Sequence, residues 1–139
     1  MKQLTKPAKR EEIPGVIAFV DEELEQAHCP WKDRMQISIA IDELYGNIAS
    51  YAYSDEDGQV TVTVEADTDS RSVCISFIDE GKPFDPLSRE DPDTTVSAGK
   101  RQIGGLGIFM VKKSMDELHY EYENGKNILT IRKIWSTNE

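Results

Sequence analysis

Apolar and polar residues alternate with two different periods along this chain, and each period predicts its own kind of element. Two stretches have the three-to-four-residue spacing of an amphipathic helix. The apolar positions of the first are Ile13, Val16, Ile17, Val20, Leu24 and Ala27, and those of the second are Ile37, Ile41, Leu44, Ile48 and Ala52. Pro14 suits the first turn of the first helix, where a missing N–H costs nothing. Cys29-Pro30 ends that helix, and the second is predicted from about Trp31 to Tyr53.

A period of two predicts strands in much of the remaining chain. Alternating runs at 60–64 and 73–77, with turn residues between them, predict an antiparallel hairpin. Runs at 118–123 and 127–134 predict a second hairpin, because Asn-Gly between two strand-like runs favours a tight turn. A short edge strand at 3–5 and a third helix at about 106–114 complete the predicted elements.

The order of these elements, β-α-α-β-β-loop-α-β-β, predicts an α+β fold. We expect a single domain over 1–139, an α/β sandwich in which about three helices cover one face of a mostly antiparallel, mixed sheet. Residues 83–103 carry three prolines and little apolar periodicity, and a long loop of this kind inside a compact domain is usually functional or mobile.

Composition narrows the class of protein. The chain has 139 residues, of which 38% are hydrophobic and 30% charged, as in soluble globular proteins. Its net charge of -10 argues against a nucleic-acid surface, because no basic excess is available to neutralise phosphates. Neither a signal-peptide-like start nor an apolar run long enough to span a membrane is apparent, so we expect a cytoplasmic protein. Cys74 is expected to be a small core residue, and Trp31 a core or edge aromatic.

The first candidate for chemistry is a pair of polar residues on the second helix. Glu43 and Asn47 are four positions apart and therefore project from the same face, together with Gly46 and Ser50. An amide oxygen is a suitable ligand for Mg²⁺, and a carboxylate one turn away could deprotonate a hydroxyl that attacks a terminal phosphate. A glycine inside a helix is about 1 kcal/mol less stable than alanine. Its presence at position 46 would be explained if another group packs closely against the helix there. The alternative is an ordinary solvated helix face.

The second candidate is Asp79, which ends a predicted strand two residues before Gly81. An ionised carboxylate only accepts hydrogen bonds, so Asp79 could receive the exocyclic amino group of adenine. Gly81 would allow either a close approach or a positive φ. A plain turn after a strand describes the same pattern.

The third candidate is the glycine cluster Gly104-Gly105-Leu106-Gly107, which opens the third helix. Glycines let a backbone wrap an anion, and a helix N-terminus directs its N–H groups and dipole at phosphate. Lys100 and Arg101 could add charge-assisted contacts. A flexible glycine linker is the alternative, and the sequence has neither a P-loop nor a dinucleotide-binding motif.

Taken together, the three segments resemble the N, G1 and G2 boxes of the gyrase, heat-shock chaperone, histidine kinase and mismatch-repair ATPases, with their Bergerat fold. The closer resemblance is to the small stand-alone branch, the anti-sigma-factor serine kinases of bacteria. It rests on three patterns in this order: Glu43-x-x-x-Asn47, Asp79-x-Gly81-x-Pro83-Phe84-Asp85-Pro86, and Gly104-Gly105-Leu106-Gly107-Ile108 followed by Met115-Asp116-Glu117. The resemblance covers nearly the whole chain, from Leu4 to Lys133.

The resemblance implies a histidine kinase-like ATP-binding domain that uses ATP and Mg²⁺. It implies that Asn47 binds Mg²⁺, that Glu43 is the general base, and that Asp79 binds the adenine amine. The glycines at 81, 104, 105 and 107 would shape the nucleotide pocket, and Pro86 to Ile103 would form the lid. The implied partners are a sigma factor, which the protein sequesters, and an anti-anti-sigma protein of the STAS type, whose serine it phosphorylates. A homodimer is also implied.

The chain departs from its relatives at two positions. Tyr51 stands where many relatives have His four residues after the metal-binding Asn, and Gly125-Lys126-Asn127 stands where relatives often have Gly-Thr. These departures motivate an alternative, a nucleotide-gated protein-binding module without kinase activity. A topoisomerase or histidine kinase fragment is disfavoured, since the chain has no room for a transducer domain and no His-bearing dimerisation helices.

Overall fold

A computed structural model of the chain describes residues 1–53, 57–88 and 105–136. The described strands are β1 (Lys2–Pro7), β2 (Gln59–Asp67), β3 (Ser72–Asp79), β4 (Glu117–Glu123) and β5 (Lys126–Ile134). The described helices are α1 (Ile13–Gln26), α2 (Trp31–Tyr51) and α3 (Gly105–Ser114). This order confirms the predicted one. Two short 3-10 turns, Arg10–Glu12 and Pro86–Ser88, were not predicted.

The five strands form one sheet in the order β1-β2-β3-β5-β4, and every described pairing is antiparallel. The two predicted hairpins, β2–β3 and β4–β5, are therefore present, and they meet where β3 pairs with β5. In this register Asp79, the last residue of β3, lies between Val60 on β2 and Asn127 on β5. The pairing thus brings the predicted adenine-binding carboxylate beside a polar residue from the far end of the chain.

The hydrophobic core lies between one face of the sheet and the helices. The alternation predicted for the strands is confirmed, since Val62, Phe77 and Ile131 are buried on the covered face and meet Leu24 and Leu44 from the helices. Each such side chain contributes about 1.5–3 kcal/mol when fully buried. The opposite face is richer in hydroxyl groups, among them Ser76 and Thr130, whose Oγ atoms are 3.0 Å apart. The predicted α+β fold is confirmed.

Cys74, which was expected in the core, is not there, and Trp31, which was predicted as a core or edge aromatic, is largely exposed. Cys74 is exposed because Val73 and Ile75 face the core, and successive side chains of a strand point to opposite faces. Trp31 is 71% exposed, since it opens α2 away from the buried stripe that contains Ile37 and Ile41.

The turn between β4 and β5 has the backbone that Asn-Gly favours. Asn124 and Gly125 both have positive φ, 54° and 77°, as the tightest hairpin turns require. This turn fixes the register that places Asn127 opposite Asp79. Within the described parts of the chain, the helices are too short or too polar to traverse a lipid bilayer.

Candidate functional site

Helix α2 carries the predicted metal ligand at a buried position. Asn47 is 7% exposed, and its Nδ2 is buried without a hydrogen-bond partner among the described residues. A buried polar group left without a partner costs about 1–3 kcal/mol. Asn47 also lines a small cavity that it shares with Asp79, so a ligand in that cavity would lie beside its side chain.

Helix α3 begins directly against the carboxylate of Glu43. A Cβ atom placed on Gly107 would lie 1.7 Å from Oε1 of Glu43, so only glycine permits this approach. Glu43 is half-buried there, beside the N-terminal turn of α3. The sequence predicted both residues for one site, and the structure brings them together. The structure also shows why position 107 is a glycine, namely that a side chain there would collide with Glu43, and the glycine pattern alone did not reveal this.

The neighbour that packs against Gly46 is Arg10, from the short turn before α1. A Cβ on Gly46 would lie 2.8 Å from Nη1 of Arg10, and Nη2 of Arg10 donates a 2.9 Å hydrogen bond to Oγ of Ser50. The glycine therefore makes room for a guanidinium, one residue from Asn47 along α2. Sequence reasoning missed Arg10. The only available signal was the unexplained glycine inside the helix.

Asp79 is buried at the end of β3 and is held by two donors. Nδ2 of Asn127 donates to its Oδ1 at 2.9 Å, and the backbone N–H of Gly81 donates to the same oxygen at 2.9 Å. Both hydrogen bonds that Asp79 accepts from described residues therefore use one oxygen, which leaves Oδ2 for another donor. Burial raises the pKa of Asp79, and the two hydrogen bonds oppose this only in part.

Asn127 also organises the segment that follows β3. Its Nδ2 donates to the carbonyl oxygens of Lys82 at 2.8 Å and Gly81 at 3.4 Å, and its Oδ1 accepts from the N–H of Phe84 at 3.1 Å and from the hydroxyl of Tyr120. This one side chain ties β3, β4 and the segment 81–84 together. Sequence reasoning treated Asn127 only as a departure from relatives. The signal was a polar residue in phase with Leu129 and Ile131, on the core face of β5.

Gly81 is required by a close approach and not by a positive φ. A Cβ there would lie 2.2 Å from the carbonyl oxygen of Ala52, and the next N–H, of Lys82, donates to that carbonyl at 2.9 Å. Among the described glycines only Gly125 has a positive φ. The C-terminal end of α2 is thereby fixed to the segment that follows Asp79.

The cavity between Asn47 and Asp79 is nearly filled. It measures about 10 Å³, enough for about one water molecule, and Phe84, Pro86 and Tyr120 close it. The ring of Phe84 also contacts that of Tyr51, with centroids 5.4 Å apart. A wider cavity of about 630 Å³ touches Asp79 but extends along the opposite face of the sheet, over Thr61 and Ile78. A base could enter beside Asp79 only if Phe84 and Pro86 moved aside.

Some of the remaining predicted site residues lie in the described part of the chain and others do not. Lys100, Arg101 and Gly104 lie outside the described residues. Gly105 begins α3 and Leu106 follows it, as the glycine pattern predicted. Within 1–53, 57–88 and 105–136 there is no cluster of three or more His, Cys, Asp or Glu residues that could hold a metal by itself.

A buried carboxylate at the end of a sheet strand, a helix bearing an Asn and a Glu, and a glycine-opened helix facing that Glu together define a class of nucleotide-binding fold. The chain belongs to the family of histidine kinase-like ATPase domains, whose family model matches residues 6–133.

Curated relatives narrow the comparison. The serine-protein kinase RsbW of Listeria monocytogenes serovar 1/2a is 30% identical over 103 residues, a match that covers 70% of this chain and 64% of that protein. The chain thus spans just under two thirds of that relative. RsbW of Halalkalibacterium halodurans is 25% identical over 141 residues, covering 99% of this chain and 85% of that protein. The serine/threonine-protein kinase BtrW of Bordetella bronchiseptica is 26% identical over 103 residues, a match that covers 73% of this chain and 72% of that protein.

A solved structure shares the fold at low identity. The RsbU and RsbW domains of Rv1364c from Mycobacterium tuberculosis superpose with a TM-score of 0.65 at 19% identity, over 96% of this chain and 32% of that one. At this identity the likeness establishes the fold alone. The resemblance noted from the three sequence segments is confirmed, since the curated relatives are serine kinases of the RsbW type.

Proposed function

We propose that this chain binds ATP with Mg²⁺ between α2, the end of β3 and the start of α3, and transfers the terminal phosphoryl group to a serine of a protein partner. The proposal rests on one observation. Asn47 and Asp79 line the same cavity, and Glu43, one turn before Asn47 on α2, has its carboxylate against Gly107, where a larger residue would collide with it. The serine-kinase names of the curated relatives support the same reaction.

The residues present fit the proposed ligands. Among the described residues the buried Nδ2 of Asn47 has no hydrogen-bond partner, and turning the amide would place its oxygen at this position, where it could bind a cation. The second oxygen of Asp79 is available to accept from the amino group of adenine. When bound, Mg²⁺ would offset the negative charge of the phosphates, and Asn47 would be its protein ligand. The Gly105–Gly107 turn would offer backbone N–H groups to the phosphates.

Glu43 is the proposed general base. The serine hydroxyl of the partner would attack the terminal phosphorus atom, the bond from that phosphorus to the bridging oxygen would break, and ADP would leave. Glu43 would take the proton that the serine loses. Arg10, packed on Gly46 and Ser50 of the same helix face, would supply positive charge to an otherwise acidic chain. Lys100 and Arg101 are proposed to contact the phosphates.

The proposed protein substrate is an anti-anti-sigma protein of the STAS type, and the second proposed partner is a sigma factor held away from RNA polymerase. We also propose that the chain is a single domain, that two copies of it form a homodimer, and that the protein is cytoplasmic. These proposals rest on the similarity to RsbW-type kinases.

The test is phosphotransfer from labelled ATP to each STAS protein of the source genome, purified separately. We expect one of them to be labelled on serine. Glu43→Gln should lower the rate about a hundredfold or more, with little change in ATP affinity. Asp42→Asn is the matched control, since Asp42 is the adjacent carboxylate and is exposed on another face of α2. Equal rates for Glu43→Gln and wild type would remove Glu43 from the mechanism.

A second candidate function is a nucleotide-gated binding module without phosphotransfer. It is favoured by the contact between Tyr51 and Phe84, two residues that link the end of α2 to the segment closing the cavity. A nucleotide that displaces Phe84 would also disturb Tyr51, which is exposed at the surface. This candidate requires saturable binding of ATP and Mg²⁺ that changes partner affinity, with no labelled serine on any STAS protein. A labelled serine would eliminate it.

A further inference from the structure

Helix α2 has a second apolar stripe, and its side chains are largely exposed in the described chain. Trp31, Met35 and Ile39 are 71%, 44% and 56% exposed. They are four residues apart, so they lie on one face of the helix over about 12 Å. The buried face of the same helix already supplies the core through Ile37 and Ile41. The exposed stripe is therefore not needed to hold the helix on the sheet, and clustered exposed apolar residues mark interaction surfaces.

A groove accompanies this stripe. A cavity of about 300 Å³ lies between α1 and α2, and Pro14, Ile17 and Ala18 line it from α1, facing Trp31 and Met35 from α2. Most of these side chains are apolar, and those from α1 are small or of medium size, which leaves a trough between two helix ridges. Such a trough suits the apolar face of a third helix, with side chains at i, i+3 or i+4, and i+7.

The charged residues around the groove indicate the charge that a binding partner should carry. In and next to the groove lie three carboxylates, on Asp21, Glu25 and Asp42, against two basic groups, on Lys32 and Arg34. Arg34, in the wall of the groove, is already held by Asp21, with bonds of 2.8 and 2.5 Å, and by Glu25 at 3.1 Å. The hydrogen bonds and the charge of Arg34 lower the pKa of Asp21, which keeps this pair ionised. The two helices therefore present a net negative rim.

The negative charge of this rim favours one of three possible binding partners, which are a second copy of the chain, an anionic lipid surface and a basic helix. A second copy of the chain would place the same acidic helices opposite one another, because a two-fold interface pairs a surface with itself. An anionic lipid surface would be repelled in the same way. A helix with basic flanks is attracted on both sides of its apolar face.

We propose that the groove between α1 and α2, with the stripe Trp31-Met35-Ile39, is the docking site for an amphipathic helix of a protein partner, with basic residues flanking its apolar face. This goes beyond the proposed function, because the groove shares no residue with the nucleotide site and its occupation needs no ATP. Failure of either proposal therefore leaves the other standing.

The probe for the test is a synthetic amphipathic helix of about 20 residues, with leucines at i, i+3, i+4 and i+7 and Lys or Arg elsewhere. A second helix has the same leucines with Glu in place of the basic residues. Binding is followed by the anisotropy of the labelled helix without nucleotide. The emission of Trp31 should shift to the blue on binding, and the shift should vanish in Trp31→Phe, which leaves the buried Trp135.

The double variant Met35→Gln/Ile39→Gln tests the groove without changing its charge. Its matched control is Met110→Gln/Ile134→Gln, which removes one Met and one Ile of similar exposure elsewhere on the surface. We expect the groove variant to lose about tenfold or more in affinity for the basic helix, and the control variant to bind as wild type. We expect the basic helix to bind more tightly than the acidic one, by a margin that shrinks as salt is added.

Four results would overturn the proposal. They are equal affinity of the two double variants, equal affinity for the basic and acidic helices, binding of wild type but not the groove variant to vesicles of anionic lipid, and self-association in sedimentation that only the groove variant loses. All the substituted side chains are exposed, so matching thermal midpoints of the two double variants will confirm that both are folded.

Discussion

Asn127 donates a 2.9 Å hydrogen bond to Oδ1 of Asp79, its cross-strand partner in the β3–β5 register. These two residues lie 48 positions apart in the chain and are both buried. The bond leaves the other carboxylate oxygen of Asp79 for a ligand. It also makes Asn127 the residue that orients the proposed adenine-binding group. In this chain an amide supplies the donor that holds Asp79.

Asn127→Ala should lower the free energy of unfolding by about 2–3 kcal/mol, because it removes the buried hydrogen bond to Asp79 together with the bonds that hold Lys82 and Phe84. Urea denaturation will measure the loss. Tyr120→Phe is the comparison, since it removes one hydrogen bond from the same network and should cost about 1 kcal/mol. Equal losses would show that Asn127 has no special place in the network. We also expect Asn127→Ala to bind ATP more weakly.

Asp79→Asn should separate nucleotide binding from stability. An amide presents a donor where adenine needs an acceptor, so ATP affinity should fall about a hundredfold or more. Calorimetry will measure this, with Asp69→Asn in the exposed β2–β3 turn as the control. An unchanged affinity would remove Asp79 from the adenine site.

The same variant gives a pH test. Burial raises the pKa of Asp79 in the folded chain, so between the unfolded and folded pKa values the folded state binds more protons. The contribution of Asp79 to stability is therefore complete below its unfolded pKa and is lost as the pH rises through its folded pKa. Asp79→Asn has no carboxylate there, so its stability relative to wild type should increase as the pH rises from acid towards neutral. A constant difference would contradict the shifted pKa.

Gly107→Ala should impair phosphotransfer without unfolding the protein. The added Cβ would lie 1.7 Å from the end of the Glu43 side chain, which is flexible and can be displaced. Replacing Gly in a helix gains up to about 1 kcal/mol, so the thermal midpoint should hold or rise while the rate of serine labelling falls. Gly15→Ala is the control, because nothing lies within 4 Å of its added Cβ. If both variants label serine at the wild-type rate, the position of Glu43 beside Gly107 does not matter.

Gly81→Ala should have the opposite effect, a loss of stability. Its added Cβ would meet the backbone carbonyl of Ala52 at 2.2 Å, and backbone cannot turn away as a side chain can. We expect a cost of about 2 kcal/mol or more, as for other overpacked sites. The comparison in denaturant is again with Gly15→Ala. A stability equal to that of wild type would mean that α2 and the segment after β3 are not packed as described.

The sequence by itself determined the element order, the α+β fold and most of the candidate site. Periodicity is a local property, so Ile37 and Ile41 or Val60 and Val62 identify a helix and a strand without knowledge of their neighbours. The positions of Glu43, Asn47, Asp79 and the glycines were also readable, because each occupies a short pattern near the end or on one face of an element. The turn at Asn124-Gly125 was predictable for the same local reason.

The tertiary structure alone decided what each of these residues meets. The pairing of β3 with β5 brings Asn127 to Asp79, and the packing of the turn before α1 brings Arg10 to Gly46. The tertiary structure also placed Cys74 outside the core, where its strand pattern had suggested burial, and left Trp31 largely exposed. Contacts between residues far apart in the chain depend on strand order and helix packing, and no local pattern encodes these. This is why the sequence predicted the candidate residues, whereas the partners that hold them became visible only in the fold.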